Sequence, residues 1–307
     1  MKKVILDVDT GIDDALAILL AVKSGQFDIL GITTTSGNIS LDKATTNTGK
    51  VLKLLGKENG IRVIKGANQP LLRKPFFEER VHGEDGLGGA LKDMEVDISD
   101  TENACDFIIE QAEKYKGELS IILTAPLTNM ALAIRKQPKI TSWVKELVIM
   151  GGAVKSPGNT TPLAEFNIYI DPEAAKIVFH SGIPITLVGL DVTRKALLTD
   201  EHISQLEGSD IGAFVKDCTK HYIDRYHEVN GIRACALHDP LAVAVALDRK
   251  IVATEKLYVD VETKSTLCDG QTVCDFKGVY NKEPNIEVCL EVNSDKFIEM
   301  FVQILNS

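Results

Sequence analysis

The sequence lacks the features that mark secreted, membrane-bound or disulfide-stabilised proteins. Its six cysteines form no C-x-x-C pair and no regular spacing, which is typical of buried thiols in a reducing compartment. No run approaches the roughly 18 apolar residues of a membrane span. The N-terminal stretch MKKVILDVD meets an aspartate before a signal-like apolar segment is complete. We therefore expect a cytoplasmic protein without a membrane partner.

Basic residues are also few. The chain has 34 Lys and Arg against 44 Asp and Glu, so its formal charge is -10 and its pI is near 5.2. Nucleic acids and anionic membranes require clustered Lys and Arg, so both are disfavoured as partners. A small or uncharged ligand fits this balance better.

The rest of the composition indicates an ordinary globular protein. Hydrophobic residues make up 44% of the 307 residues, and the chain has no repeat, no low-complexity segment and no linker rich in Pro, Gly or Ser. Length alone allows one large domain or two average ones. The missing linker favours one domain that spans residues 1–307.

Apolar runs alternate with helical patterns along most of the chain. Short runs rich in Val, Ile, Leu and Thr predict buried strands at 4–8, 29–35, 61–65, 120–125, 146–151 and 185–190. Apolar spacings of three and four predict helices at 13–24, 41–55, 103–115, 127–136, 171–180 and 240–248. KLYVDVET, QTVCDF and IEVCLEV predict further strands near the C-terminus, with antiparallel edge strands among them. The fold class is therefore α/β: a mostly parallel open sheet with helices on both faces, a Rossmann-like core and added C-terminal strands.

Four aspartates, Asp7, Asp9, Asp13 and Asp14, lie between the first predicted strand and the first helix. Ligands of open α/β sheets bind at the carboxyl ends of the strands, which is where this cluster falls. Helix capping accounts for one or two carboxylates. Four within eight residues repel one another unless a cation or shared protons offset their charge. Oxygen ligands without nearby His or Cys favour Ca²⁺ or Mg²⁺ over zinc.

Haloacid-dehalogenase-type phosphatases also begin with a strand that runs into D-x-D, followed by a Thr two positions later. Here that position is Gly11, and the Thr comes one place early, at Thr10. Asp13 and Asp14 have no role in that scheme. The phosphatase is therefore the second enzyme hypothesis.

Three further segments are dense in polar residues. VHGEDGLGG (81–89) taken alone is typical of a solvated glycine-rich loop. GNTTPLAEFNIYIDPEAA (158–175) groups amides and a carboxylate before a helix that starts near Asp171 and Pro172, a set that suits a polyhydroxylated ligand. In ALHDPLAVAVAL (236–247), Asp239 fits an N-cap, but His238 beside a metal-bound Asp is also well placed as an acid.

Six segments in order resemble the inosine-uridine-preferring nucleoside hydrolase family. They are DVDTGIDDALAILLA, TTSGNISL, VHGEDGLGG, LTAPLTNMALA, MGGAVKSPGNTTPLAEFNIYIDPEAA and LHDPLAVA, and the match runs in order from residue 4 to about 247. The family cleaves the N-glycosidic bond of ribonucleosides, which requires anionic groups near the ribose, a positioned water and a donor to the departing base.

The resemblance implies a Ca²⁺ site and two catalytic groups. Asp9, Asp14 and Asp239 would bind the ion, with the backbone carbonyl of Thr124. Asp9 would also deprotonate the attacking water, and His238 would help to protonate the base.

The same resemblance implies residues that bind the nucleoside. The ribose diol would be bound by Asp13, Asn38 and Asn167, and the 5′-hydroxyl by Asn159 and Glu165. The base would be surrounded by His82, His238 and Tyr226, with Tyr222 as the alternative to Tyr226. The chain departs from many relatives at Thr10 (Pro in those) and at Ala125 (Gly in those). Both differences concern backbone shape rather than ligands.

A non-catalytic nucleoside- or ribose-binding protein is the alternative from another class. Intact Asp9 and His238 argue against it, because binding alone needs neither a base nor an acid. The sequence leaves purine and pyrimidine preference open. Relatives imply a homodimer or homotetramer, and the activity implies a role in nucleoside salvage.

Overall fold

A computed structural model describes residues 1–98, 101–206 and 208–307. A nine-stranded sheet forms its centre, and a two-stranded sheet lies beside it. The strands are β1 (Lys2–Val8), β2 (Phe27–Thr34), β3 (Val63–Lys65), β4 (Ser120–Leu123), β5 (Glu146–Met150), β6 (Ile185–Val188), β7 (Leu197–Thr199), β8 (Ala234–Ala236), β9 (Val252–Val261), β10 (Thr272–Asp275) and β11 (Ile286–Val292).

Helices precede or follow most of these strands. They are α1 (Ile12–Lys23), α2 (Leu41–Leu54), α3 (Glu79–His82), α4 (Ala104–Lys114), α5 (Thr128–Lys136), α6 (Phe166–Ile170), α7 (Pro172–Phe179), α8 (Leu190–Thr193), α9 (Asp200–Ser204), α10 (Asp210–Asn230), α11 (His238–Leu247) and α12 (Ser294–Leu305). Short 3₁₀ helices span Pro138–Ser142 and Arg249–Ile251. Within the described ranges, no helix has both the length and the apolar character that a membrane crossing requires.

The large sheet has the order β10-β9-β11-β6-β5-β4-β1-β2-β3. Every pair from β3 to β11 in this order is parallel, whereas β9 is antiparallel to both β11 and β10. The predicted fold class is confirmed, including the antiparallel strands that β9 and β10 add at one edge. Strand β11 differs from the expectation in one respect, because it joins the parallel part of the sheet beside β6.

Two apolar layers hold helices against the two faces of the sheet. Helices α1, α11 and α12 pack on one face, and α4, α5 and α7 pack on the other. Helix α1 is buried on all sides from Ile12 to Ala21, which explains its almost continuous apolar sequence. Such a helix places its N-terminal residues in the interior of the molecule.

The chain order reverses between β1 and β4. Strands β2 and β3 follow β1 on one side, and β4, β5 and β6 continue on the other side. In open α/β sheets a crevice forms at this switch point, outside the carboxyl ends of the strands. Asp9 follows β1 there and Thr124 follows β4.

Candidate active site

A cavity of about 760 Å³ lies at the carboxyl ends of the central strands. Most of the predicted site residues line it: Asp13, Asn38, His82, Thr124, Asn159, Glu165, Asn167, Tyr222, Tyr226, His238 and Asp239. Asp9 and Asp14 are fully buried next to this lining. The structure therefore brings together residues from widely separated parts of the chain.

Three carboxylates meet at one point of the cavity wall. Asp13, Asp14 and Asp239 each present an oxygen within 4.8 Å of the other two. Asp9 adjoins this group through Asn38, whose Nδ2 donates to Oδ1 of Asp9 (3.2 Å) and to Oδ2 of Asp14 (3.1 Å). The acids of the opening segment and the acid before Pro240 thus form one cluster.

The cluster carries a strong electrostatic penalty. Burial, followed by repulsion from neighbouring carboxylates, raises the pKa of Asp13 to about 7 and the pKa values of Asp9 and Asp239 well above their usual range. Burial also raises the pKa of Asp14, although the Thr124 hydroxyl opposes this by donating to its Oδ1 at 2.8 Å. A cation among these groups would remove the penalty.

The residues present fit a hard divalent cation. All donors are oxygens, and Oδ1 of Asp13 is buried without a hydrogen-bond partner among the described residues. The carbonyl of Thr124 accepts from Nδ2 of Asn167 at 2.8 Å and keeps a second lone pair. The set resembles calcium or magnesium ligation rather than zinc ligation.

The start of α1 fixes the geometry of the acids. Oδ2 of Asp14 accepts from the backbone N of Gly11 (3.0 Å), and Oδ1 accepts weakly from that of Asp9 (3.4 Å). A Cβ at Gly11 would lie 2.5 Å from Nδ1 of His82, so residue 11 has no room for a side chain. A phosphatase threonine cannot occupy this position, and the D-x-D phosphatase is not favoured.

Asp7 lies outside the cavity. Its Oδ1 accepts from Thr33 (2.5 Å) and from Asn129 (2.8 Å), which joins β1 to β2 and α5. Burial raises the pKa of Asp7 to about 6, despite these two bonds. Asp7 therefore braces the sheet rather than the ligand site.

Residues 158–167 form a second wall. Glu165 caps α6 and accepts from the backbone N of Gly152 (2.9 Å), Asn167 (2.9 Å) and Ile168 (3.2 Å). Oδ1 of Asn159 accepts from the backbone N of Phe166 at 2.9 Å, which leaves its NH₂ group as a donor. The predicted helix start at Asp171 and Pro172 is confirmed, because Asp171 caps α7 through Ala174.

Aromatic and imidazole rings form the opposite wall. Nδ1 of His82 accepts from the backbone N of Ile12 at 3.1 Å, and burial lowers the pKa of His82 to about 3. The ring centroid of Tyr222 lies 6.5 Å from that of His82 and 6.5 Å from that of Tyr226. Tyr222 is buried and donates to the carbonyl of Ala236 (3.2 Å), whereas Tyr226 is partly exposed. Both tyrosines line the cavity, and Tyr226 is the one with more freedom to move.

Asp239 does not cap helix α11. The helix starts at His238, so Asp239 lies in its first turn, and the capping interpretation of Asp239 is wrong. Burial lowers the pKa of His238 to about 4, and the charge of Arg194 adds to this effect. Nδ1 of the ring lies 2.7 Å from the hydroxyl of Thr193.

Helix α8 and the residue after it support the site. Asp191 of α8 accepts from the backbone N of residues 154–156 (2.8–2.9 Å). Arg194 lines the cavity and donates to the carbonyls of Pro157 (2.8 Å) and Gly158 (2.7 Å). The sequence signal for Asp191 was its position directly after the predicted strand 185–190, whereas Arg194, four residues beyond that strand, gave none.

Helix α10 also contributes to the wall through Tyr222, Tyr226 and Asn230. This helix was not among the predicted ones. Its apolar positions are separated by many charged residues, so periodicity gave a weak signal.

Comparison with known proteins agrees with this geometry. Residues 4–299 match the family model described as inosine-uridine preferring nucleoside hydrolase. The chain is 36% identical over 298 residues to the pyrimidine-specific ribonucleoside hydrolase RihB of Escherichia coli (strain SE11), which covers 96% of this chain and 94% of that protein.

Solved structures with the same fold carry related descriptions. A plant nucleoside hydrolase, the PpNRh1 enzyme, superposes with a TM-score of 0.95 at 32% identity, over 100% of this chain and 99% of that one. A purine-preferring ribonucleoside hydrolase from Gardnerella vaginalis superposes with a TM-score of 0.92 at 35% identity, over 99% and 98% of the two chains. With a match over nearly its whole length, this chain belongs to the inosine-uridine preferring nucleoside hydrolase family.

Proposed function

We propose that the protein hydrolyses the N-glycosidic bond of purine or pyrimidine ribonucleosides to ribose and a free base. The observation that carries this proposal is the buried group of Asp13, Asp14 and Asp239 at the wall of a cavity large enough for a nucleoside. A binding protein would gain nothing from this concentration of repelling acids, whereas a reaction that builds positive charge on the ribose ring gains directly.

The cation in this proposal is Ca²⁺. Asp9, Asp14 and Asp239 would hold it through carboxylates, and Thr124 would hold it through its carbonyl, with Asp13 as a further acid in reach. When bound, the ion offsets the carboxylate charge and makes water beside it more acidic. Calcium does this less than zinc, so a carboxylate base is still needed.

Asp9 is that base. It takes a proton from the water that attacks the anomeric carbon, while the neighbouring acids stabilise the developing positive charge of the ring. Its two oxygens accept from Asn38, and each retains a lone pair for a further proton donor.

The remaining residues position the nucleoside. Asp13, Asn38 and Asn167 bind the ribose diol, and Asn159 and Glu165 bind the 5′-hydroxyl. His82, Tyr226 and His238 surround the base, and His238 donates a hydrogen bond to it as it leaves. Relatives described as pyrimidine-specific and as purine-preferring both share this fold, so the fold does not determine the base preference, which must be measured.

We further propose that the protein is a cytoplasmic homodimer or homotetramer that acts in nucleoside salvage. Its acidic charge and apolar core suit a small-molecule enzyme. Light scattering during size-exclusion chromatography would measure the assembly, and a monomer would contradict it.

The first test is release of reducing sugar from inosine, adenosine, guanosine, uridine and cytidine, with and without a calcium chelator. We expect turnover that is lost on chelation and restored by Ca²⁺. Absence of sugar release from every nucleoside in Ca²⁺ would contradict the proposed activity. The relative rates give the base preference.

A pair of variants tests the assigned base. We expect Asp9→Ala to abolish turnover while the protein remains folded by circular dichroism. Asp28→Ala, at an exposed position in β2, should retain wild-type turnover. A normal kcat for Asp9→Ala would remove Asp9 as the base.

A further inference from the structure

A buried threonine, Thr193, contacts His238, one of the histidines that line the cavity. Oγ1 of Thr193 lies 2.7 Å from Nδ1 of His238. Thr193 is fully buried and does not line the cavity, whereas His238 is partly exposed and lines it. A ligand in the cavity therefore contacts the histidine and not the threonine.

The local backbone fixes the position of this hydroxyl. The backbone N of Thr193 donates to the carbonyl of Gly189 (3.1 Å), and that of Leu190 donates to the carbonyl of Gly152 (2.9 Å). A Cβ at Gly189 would lie 2.8 Å from the same Gly152 oxygen, so the two segments are in close contact. Helix α8 therefore presents Thr193 at a defined place beside α11.

The available donors and acceptors indicate which of the two groups, the Thr193 hydroxyl or Nδ1 of His238, donates the hydrogen bond. A neutral imidazole has one nitrogen that donates and one that accepts. Among the described residues, Nδ1 of His238 is the one partner that the structure gives for the Thr193 hydroxyl. If Nδ1 carried the proton, the hydroxyl hydrogen would be buried without an acceptor. The hydroxyl therefore donates to Nδ1, and the proton of the ring is on Nε2.

We propose that Thr193 is a positioning residue for the reaction: it holds His238 in the tautomer whose Nε2–H donates to the departing base. The proposal rests on the proposed nucleoside hydrolysis. It adds a residue that touches no substrate and acts only through the orientation and tautomer of His238.

Two substitutions at residue 193 separate the hydroxyl from the shape of the side chain. Thr193→Val keeps the volume and removes the donor, whereas Thr193→Ser keeps the donor. Thr186→Val is the matched control, because Thr186 is also buried, in β6, and its hydroxyl has no partner among the described residues. All three are assayed on inosine, uridine and p-nitrophenyl riboside, whose leaving group needs no protonation.

We expect Thr193→Val to lower kcat on the two nucleosides about tenfold or more. On p-nitrophenyl riboside it should stay within about twofold of wild type, because no donor to the leaving group is needed. Thr193→Ser and Thr186→Val should behave like wild type on all three substrates. Equal losses on all substrates, or no loss on any, would overturn the proposal.

A spectroscopic measurement tests the contact between Thr193 and His238 independently of catalytic activity. Nitrogen-15 NMR of the histidine rings, with His238 assigned by its absence in His238→Gln, reports which nitrogen carries the proton. We expect a protonated Nε2 in wild type and a mixture of tautomers in Thr193→Val. A protonated Nδ1 in wild type would overturn the proposal even in an active enzyme. A wild-type protein that cleaves no nucleoside would instead refute the proposed function.

Discussion

Asp13 and Asp14 are neighbours in the chain, but hydrogen bonding gives them different environments. Asp14 accepts from two backbone N–H groups, from Asn38 and from Thr124. Asp13 retains a buried oxygen without a partner among the described residues. One acid is therefore held rigidly, and the other has an oxygen free for a ligand. The family resemblance assigns the two acids different roles, but their residue type and spacing alone do not distinguish them, because the difference arises from residues far away in the chain.

Replacement of His238 tests the proposed donor. We expect His238→Ala to lower kcat by about 10²-fold or more on inosine and uridine, since their bases leave poorly without a hydrogen-bond donor. Hydrolysis of p-nitrophenyl riboside should fall far less. Steady-state kinetics on the three substrates checks this, and similar losses on all of them would refute the donor role.

Replacement of Gly11 tests the contact between the aspartate segment and His82. A Cβ there would lie 2.5 Å from Nδ1 of His82 and 3.0 Å from Nδ2 of Asn38. Overpacking of this kind costs about 1–3 kcal/mol, so Gly11→Ala should lower kcat/KM for nucleosides about tenfold.

Gly60→Ala is the control for this substitution, because its Cβ would meet only a carbonyl at 3.7 Å. It should retain wild-type kcat/KM. A wild-type value for Gly11→Ala would show that His82 can move without loss of activity.

At the scale of elements, the segment from residue 66 to 82 carries His82 into the cavity and is anchored at distant points. The backbone N of Leu71 donates to Asp171 at 2.9 Å. Arg73 forms a two-pronged ion pair with Glu173 (2.8 and 2.9 Å) and a second pair with Asp269. These contacts join the segment to α7 and to the loop before β10.

Arg73→Ala should loosen this segment. We expect a loss of about 1–3 kcal/mol in the free energy of unfolding, because Arg73 is partly buried and bonded to two carboxylates. The KM for nucleosides should rise, since His82 is then less well ordered. Urea unfolding and steady-state kinetics measure the two effects.

Arg249→Ala provides the matched control for Arg73→Ala. Arg249 also pairs with two carboxylates, Glu146 and Glu287, but it is more exposed and lies far from the cavity lining. It should cost about 1 kcal/mol or less and leave KM unchanged. Equal KM values for both variants would contradict the anchoring role of Arg73.

Sequence patterns predicted the elements unequally. The inner strands of the nine-stranded sheet were predicted within a few residues, because strands buried on both faces are continuous apolar runs. Strands β9, β10 and β11 were predicted from runs with polar interruptions. Strands β7 and β8 were missed, because they have three residues each and give no clear periodicity. Helix α10 was not predicted, because its many charged residues obscure the apolar periodicity. The contacts of Arg73 and Thr193 could not be predicted, since they depend on packing between distant segments.

At the scale of the molecule, the acidic cluster makes stability depend on a ligand. Four buried aspartates share one region, and burial and mutual repulsion raise the pKa values of Asp9, Asp13 and Asp239. A cation that binds only the folded state stabilises it in proportion to the logarithm of its concentration. The active site is thus a weak point of the apoprotein.

We expect Ca²⁺ to raise the Tm measured by differential scanning calorimetry. At 100 times its Kd, the ion contributes about 2.7 kcal/mol. Asp239→Asn should raise the Tm in chelator above that of wild type, because one buried charge is removed, and should abolish the shift with Ca²⁺. Identical wild-type Tm values in chelator and in Ca²⁺ would contradict a calcium site at this cluster.

Helix α1 lies at the centre of the fold, packed against α11, although the two are encoded near opposite ends of the chain. Translation therefore produces α1, an almost continuously apolar helix, long before its partner α11 and Asp239 have been synthesised. Until α11 is made, the apolar residues of α1 lack this partner, a state that favours aggregation. The acidic cluster is complete only after Asp239 has been synthesised, so no truncated chain that ends before α11 can assemble it.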